Sequence, residues 1–452
     1  MATGVTKKEV LSPDALVATL PHRDPHPLPG TGATAALHYE GRLSEAEILA
    51  PLSATFRHVA TDGSMGDVRA PASSSLMLTD NLFGLHALRE AGTRVTLFYL
   101  DPPYNTGMDF QSRQLQHAYN DKWSLAAYVE SMRRRFVLMR ELLTDDGSIY
   151  VHIDHRMLAH LKVVMDEVFG VDNFRNLITR RKCSSKNFTK NSYANTHDYI
   201  LFYTKTSRYK WKQPTVRPDA AWLAKEYDKT DQRGRYKLVP VHAPGTRNGE
   251  TGKPWRGKLP PAGKHWQYAP SKLDELDAKG EIHWSKTGNP RRKVYLMEDK
   301  SVALTDYWDR YRDAHHQSIA VTGYPTEKNL DMLKMIVSAS SDPGDLVVDP
   351  FAGSSTALEA AASLGRRWIG MDKSFAAIEA STRRLRYGAK PMGDFVERGD
   401  SAQPLNLFPA TETADPAIKT VREPIPFSLL VDEELFAIYP DQLVELASLC
   451  LE

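Results

Sequence analysis

The 452 residues are 41% hydrophobic, 25% charged and 9% aromatic, enough chain for two or three domains or for one large core with an insertion. No apolar run approaches the ~18 residues of a membrane span, the first twenty residues lack the apolar stretch of a signal peptide, and Cys183 and Cys450 are too far apart in sequence for a Cys-x-x-Cys site or a disulfide framework. A soluble protein of a reducing cytoplasm is expected, with no membrane contact and no zinc cluster.

Residues 1–75 are rich in Pro, Ala, Gly and His, with a helix expected at Ser44–Leu52, and read as an N-terminal arm with little core. From Leu76, short β-rich runs alternate with amphipathic helices, which predicts an α/β sheet with mostly parallel strands. Val95–Leu100 is a buried strand. Ser124–Leu143 carries Leu125, Val129, Met132, Phe136, Met139 and Leu143 at three- and four-residue spacing, a helix facing a core, and Gly147 breaks the pattern after it. Ile149–Ile153 is the next strand, Met157–Phe169 the next helix, and Tyr199–Thr204 a strand that closes the segment 76–204.

The formal net charge of +2 conceals an uneven distribution. Between Lys205 and His316 there are 24 Lys and Arg against 14 Asp and Glu, and six of the eight tryptophans (Trp211, Trp222, Trp255, Trp266, Trp284, Trp308) fall in the same window. Basic residues interleaved with aromatics suit phosphate contacts and base stacking. A solvated domain with a small core would have the same composition.

After this insertion, Thr326 is placed to cap a helix through Glu327, Leu330, Leu333, Ile336 and Val337, ended by Asp342-Pro343-Gly344. Asp345–Asp349 is a strand, Ser354–Leu364 a helix and Arg367–Met371 a strand ending at Asp372, a βαβ unit within 317–390. From Pro391 to Glu452, 12 acidic residues stand against 3 basic ones, with an amphipathic end at Leu443, Leu446 and Leu449. An acidic face suits a partner subunit, but this spacing better suits a helix docked on its own domain.

Two strand ends carry candidate chemistry. Asp101-Pro102-Pro103-Tyr104 follows Val95–Leu100 directly, at the carboxyl end where open α/β sheets place their sites. An exocyclic amine on a nucleobase is a poor nucleophile because its lone pair is delocalised into the ring, so its two hydrogens must be held. The Asp101 carboxylate and the Pro102 carbonyl, fixed by consecutive prolines, offer two acceptors, and Tyr104 a stacking face. The base would have to leave its helix to reach them. The bland reading is a Pro-stiffened turn with an Asp cap and a packed Tyr. The second candidate is Asp349 to Thr356 (DPFAGSST), between a strand and a helix, where Gly353 lets backbone approach a ligand and the helix start offers free N–H groups. Asp372, at the end of the next strand, is placed for ribose hydroxyls. The loop has too few glycines for a diphosphate cradle, which favours a nucleoside cofactor such as S-adenosylmethionine over NAD. A Gly turn and a strand-end Asp are also ordinary in any α/β protein.

Other patterns are bland. Pro218-Asp219 with Glu226 and Lys229 is too compressed for a nuclease metal site, Gly252-Lys253 is followed by Pro254 and is no P-loop, and His152, Asp154 and His155 lack a further clustered ligand. No metal site is expected.

Taken together, Leu78 to Leu82 (LTDNL), Asp101 to Phe110 (DPPYNTGMDF), Asp146 to Asp154 (DGSIYVHID), His197 to Lys205 (HDYILFYTK), Gly323 to Asn329 (GYPTEKN) and Asp349 to Thr356 resemble the amino-group DNA methyltransferases that modify adenine N6 or cytosine N4, in the order with the catalytic motif before the cofactor motif. DPPYNTG with GYPTEKN is most similar to the adenine-N6 enzymes, including modification subunits of type III restriction systems. The resemblance implies a Rossmann-like, S-adenosylmethionine-dependent α/β fold with a mostly parallel sheet, interrupted at 205–316 by a target-recognition domain that reads DNA. It implies that Asp101, Pro102 and Tyr104, with Pro103 between them, engage the target base. Thr326, Lys328, Asp349, Phe351, Gly353 and Asp372, with Ser354 in the same loop, would surround the cofactor. Double-stranded DNA is the implied partner; a homodimer and a separate restriction or defence subunit are further implied partners. The competing readings are a cytosine-N4 or RNA methyltransferase, or a non-catalytic DNA-binding subunit. Two departures stand out: Ser355 occupies a position where the family usually has glycine, and the chain is short for a type III modification subunit.

Overall fold

The computed structural model describes residues 35–52, 55–59, 65–68, 74–104, 109–111, 117–120, 123–183, 191–311, 320–321, 328–388, 390–391, 425 and 427–451. Among them, eleven strands form one sheet: β1 (Phe56–Val59), β2 (Met65–Val68), β3 (Ser75–Leu78), β4 (Val95–Leu100), β5 (Leu143–Ile153), β6 (Phe174–Arg181), β7 (His197–Thr204), β8 (Tyr307–Trp308), β9 (Leu346–Asp349), β10 (Arg367–Asp372) and β11 (Ser428–Asp432). Their order is β8-β6-β7-β5-β4-β9-β10-β3-β11-β1-β2. The run from β5 through β4, β9, β10 and β3 to β11 is parallel throughout, and β7 and β1 are the antiparallel neighbours at its two ends. Parallel strands are covered on both faces, and all six residues of β4 are buried accordingly.

One face is covered by α2 (Asn81–Glu90), α3 (Leu125–Leu142) and α4 (Leu158–Phe169). Helix α3 starts where Ser124 accepts the Ala127 N–H, and it buries Val129, Met132, Phe136 and Met139 as their spacing requires. Leu125, expected on that face, is 46% exposed because it lies in the first turn, beyond the sheet. The other face carries α5 (Leu330–Ser340), α6 (Thr356–Ser363), α7 (Phe375–Tyr387) and α8 (Pro440–Leu451). Helix α5 begins later than expected, because the Asn329 side chain accepts the Met332 N–H and takes the capping role assigned to Thr326. Thr326 itself, with most of the GYPTEKN segment, lies outside the described residues. Gly370 lets α6 approach β10, since a Cβ there would sit 2.3 Å from Leu358 Cδ1.

The ends of the chain contribute more to the sheet than expected. The short helix α1 (Glu45–Ile48) is closed by a Ser44–Glu47 capping box, and β1 then buries Phe56 completely. Leu443 and Leu446 of α8 are buried against the same domain, and α8 packs on α7; the side chain of Leu449 lies outside the described set.

Between β7 and β8 the chain builds a separate antiparallel sheet from Lys229–Asp231, Gly234–Pro240, Pro290–Tyr295 and Ile282–Trp284. Its core of Val241, Trp255, Trp266, Leu273, Leu276 and Ile282 takes Trp255 and Trp266 out of reach of stacking on bases, whereas Trp211 and Trp222 are 41% and 36% exposed. Trp255 and Trp266 are 1% and 2% exposed, and their ring N–H groups are committed to Asp274 and the Lys253 carbonyl. Trp308 is buried too, donating to the Thr305 carbonyl. Asp219 caps the helix Ala220–Glu226 and Glu226 pairs with Lys237, the helix-surface roles expected of them.

Candidate active site

Each candidate aspartate ends a strand. Val347 and Val348 of β9 lie beside Leu97 and Phe98 of β4, and Asp349 beside Gly370 of β10. The chain leaves β4 towards β5 on one side and leaves β9 towards β10 on the other, so the crevice at their carboxyl ends is a topological switch point. One pocket there is lined by Asp101, Pro102, Pro103, Tyr104, Lys328, Asp349, Phe351, Gly353, Ser354 and Asp372. Every candidate among the described residues is brought together; only Thr326 falls outside them. Trp123, Arg135 and Ser374 also line the pocket, and no sequence signal set them apart.

The Asp101 carboxylate is held on both oxygens. Tyr104 O–H donates to Oδ1 at 2.6 Å, and Lys328 Nζ is 2.5 Å from Oδ2. Lys328, whose motif associates it with the cofactor, is thus anchored on the base-binding half of the pocket. Its ammonium also stands 5.5 Å from the centre of the Tyr104 ring. Burial, then the Asp101 charge, pushes the Tyr104 hydroxyl well above its ordinary pKa, so it stays a donor. The backbone is clamped by Tyr128, whose O–H donates to the Pro103 carbonyl at 2.7 Å.

The loop after β9 is equally fixed. Asn81 donates to the Pro350 carbonyl at 2.5 Å, and Asp349 Oδ1 accepts the Phe351 N–H. Asp372 accepts the Gly353 N–H on one oxygen and the Ser374 N–H on the other, at 3.0 and 2.9 Å. Gly353 and Ser355 both have positive φ, 50° and 58°, a conformation that a serine adopts at a cost of about 1 kcal/mol or more. Asn81 belongs to LTDNL, a motif quoted for resemblance alone; its contact with a loop 269 positions away is what gives it a role.

A buried polar row runs from the pocket across β4, β5, β7 and β6. Burial lowers the His152 pKa. With its ring neutral, Nδ1 accepts the Tyr99 O–H at 2.9 Å and Nε2 faces Asp198 at 3.4 Å. Burial alone would raise Asp198, yet His152, Lys328 and Lys182 hold it below the usual carboxylate range. His152 is thereby a hydrogen-bonding residue of the interior.

Burial pushes Asp349 well above the ordinary carboxylate pKa; the Phe351 N–H opposes this, and the charges of Asp101 and Asp372 add to it. Asp372 is raised too, again chiefly by burial. A carboxyl with a raised folded-state pKa binds more protons folded than unfolded, so ligand-free stability rises as pH falls through that value and declines as pH rises through it. Asp349→Asn keeps the acceptor for Phe351 and removes the charge. It is expected to raise the melting temperature of the ligand-free protein at neutral pH and to flatten its rise on acidification towards the ordinary carboxylate range. Thermal denaturation of both proteins across that pH range checks this, and an unchanged pH profile would refute it.

The N6_N4_Mtase family, described as DNA methylase, matches residues 95–383. The type II methyltransferase M.EcaI of Enterobacter cloacae is 52% identical over 99% of this chain and 97% of its own length. The StyLTI Mod subunit, a type III restriction-modification protein of Salmonella typhimurium, is 30% identical over 65% of this chain and 50% of its own. The DNA adenine methyltransferase YhdJ of Escherichia coli is 25% identical over 67% of this chain and 82% of its own. With the strand-end aspartates in one crevice and the family match spanning both, the chain belongs to the N6/N4 family of DNA methylases.

Proposed function

We propose that this protein is a site-specific DNA methyltransferase that transfers the methyl group of S-adenosylmethionine to adenine N6 in double-stranded DNA. The observation that carries the reading is the single crevice in which Asp101 and Pro102 face Asp349, Gly353 and Asp372. Its donor set fits the cofactor. Asp80, Asp101, Asp349 and Asp372 stand against Arg135, Lys328 and Lys373 along the lining, a slight acidic excess that suits a cationic ligand, and the Asp372 oxygens, oriented by two N–H groups, keep lone pairs for ribose hydroxyls. When bound, the cofactor supplies a methyl group on a positively charged sulfur.

The chain's own part is orientation. Asp101 and the Pro102 carbonyl accept the two amino hydrogens of an extruded adenine and turn its lone pair towards the methyl carbon, and Tyr104 stacks on the base. Tyr104 and Lys328 hold Asp101 in advance and Tyr128 holds the adjoining Pro103 carbonyl, so little reorganisation accompanies the reaction. In the domain reading, 76–204 and 317–390 form the catalytic and cofactor halves, and the arm 1–75 and the extension 391–452 add β1, β2, β11 and α8 to the same domain. The insertion 205–316 reads DNA; its exposed Arg247, Lys253, Lys258 and Lys264 surround a Gly- and Pro-rich stretch, which suits phosphate contacts. The names of the relatives support a restriction-modification setting. Near-full coverage of M.EcaI, against half of the StyLTI Mod subunit, favours a solitary type II enzyme over a type III modification subunit.

Mass spectrometry of nucleosides from unmethylated DNA incubated with protein and S-adenosylmethionine is expected to show N6-methyladenine. N4-methylcytosine would overturn the base assignment. No product and no cofactor binding would favour a non-catalytic DNA-binding subunit, and no product despite cofactor binding would point to RNA or a missing partner.

A further inference from the structure

Ser355 is left-handed, at φ 58° and ψ 31°, and completely buried. Its hydroxyl donates to Ser381 Oγ at 2.5 Å, and the Ser381 hydroxyl in turn donates to the Gly353 carbonyl at 2.8 Å. Gly353 is therefore gripped on both sides, its carbonyl by Ser381 of α7 and its N–H by Asp372 at the end of β10. Ser381 is itself fully buried. The role at Ser381 demands one small group that accepts and donates at once, which a hydroxyl satisfies and a methyl group cannot.

We propose that Ser381 is a positioning residue for the cofactor, acting through Ser355 and Gly353. The Ser355–Ser381 pair does in this chain what a glycine at 355 would do by conformational freedom alone. It holds the 353–356 turn in the shape that presents the Gly353 N–H to Asp372 and the start of α6 to the pocket. Serine at 355 and serine at 381 are thus energetically coupled, although 26 residues separate them. This inference rests on the reading of the pocket as an adenosyl-cofactor site.

The test is calorimetric titration with S-adenosylhomocysteine, alongside thermal denaturation of the ligand-free proteins. Ser381→Ala leaves a buried hydroxyl and a buried carbonyl without their partner and is expected to weaken binding by roughly tenfold. In a Ser355→Gly background the same change is expected to cost no more than about threefold, because glycine needs no hydroxyl to stay left-handed. In steady-state methylation, Ser381→Ala should raise KM for S-adenosylmethionine with little change in kcat. A Ser381 that serves stability alone would lower the melting temperature and leave the affinity of the folded protein untouched; that result, or an equal loss in both backgrounds, overturns the proposal. Should Ser381→Ala fail to fold, Ser355→Ala, which keeps the strained conformation and removes only the donor, is expected to weaken binding, and wild-type affinity there would equally overturn it. Failure of the unaltered protein to bind S-adenosylhomocysteine would instead overturn the site reading.

Discussion

Asp101→Ala is expected to lower methyl transfer by roughly a hundred- to a thousandfold while S-adenosylmethionine binding survives. The substitution removes the acceptor that fixes one amino hydrogen and leaves the nitrogen lone pair delocalised into the purine. It also releases Tyr104 and Lys328, both of which bond to that carboxylate, so the base loses its acceptor and the site loses its order at once. Asp101→Asn keeps one oxygen and the shape of the side chain but replaces an acceptor with a donor, and should retain more activity than alanine. Single-turnover methyl transfer at saturating cofactor, with cofactor affinity measured separately, distinguishes this from a general loss of structure. Near-normal turnover in the alanine variant would remove Asp101 from the mechanism.

Arg384→Met should destabilise the fold by about 3–5 kcal/mol, the loss typical of breaking a buried ion pair. Arg384 of α7 is 2% exposed and donates Nε–H to Glu359 of α6 at 2.6 Å. Its Nη1 reaches the Ser354 carbonyl and hydroxyl and the Thr356 hydroxyl, at 3.2, 3.2 and 2.9 Å. Removing it strands the Glu359 carboxylate in the interior and unties the loop that follows β9. Much of the loss should therefore be recovered in Arg384→Met with Glu359→Gln, where no charge is orphaned. Urea midpoints of the single and double variants measure this, and additive losses would mean that the pair itself contributes little.

The parts of the sheet that line the crevice were legible because each carries a local signal. Val95–Leu100 and Asp345–Asp349 are short apolar runs ending in aspartate, and period and strand-end position together sufficed to place Asp101, Asp349 and Asp372. What escaped was set by distant partners. Nothing within Ser428–Asp432 announces that it pairs with Ser75–Leu78, some 350 residues earlier, because the pairing is written in neither segment alone. The burial of Trp255 and Trp266 was hidden for a related reason. Composition shows aromatics among lysines, but only the tertiary arrangement shows Trp255 stacked on Trp284 with ring centroids 5.0 Å apart inside a small core. Lys328 was found through its motif, yet its bond to Asp101 depends on where α5 starts, which Asn329 decides.

The position of β11 has a consequence for how the protein is made. This strand lies between β3 and β1, so the sheet receives one of its inner members from a stretch translated some 350 residues after β3. Until then, β3 presents an open edge of unpaired N–H and C=O groups and the β1–β2 hairpin has no neighbour to join, a nascent state prone to pairing with other chains. The sheet therefore closes only once residues 428–432 have been made, and until then β10, a cofactor strand, stands one pairing away from an exposed edge.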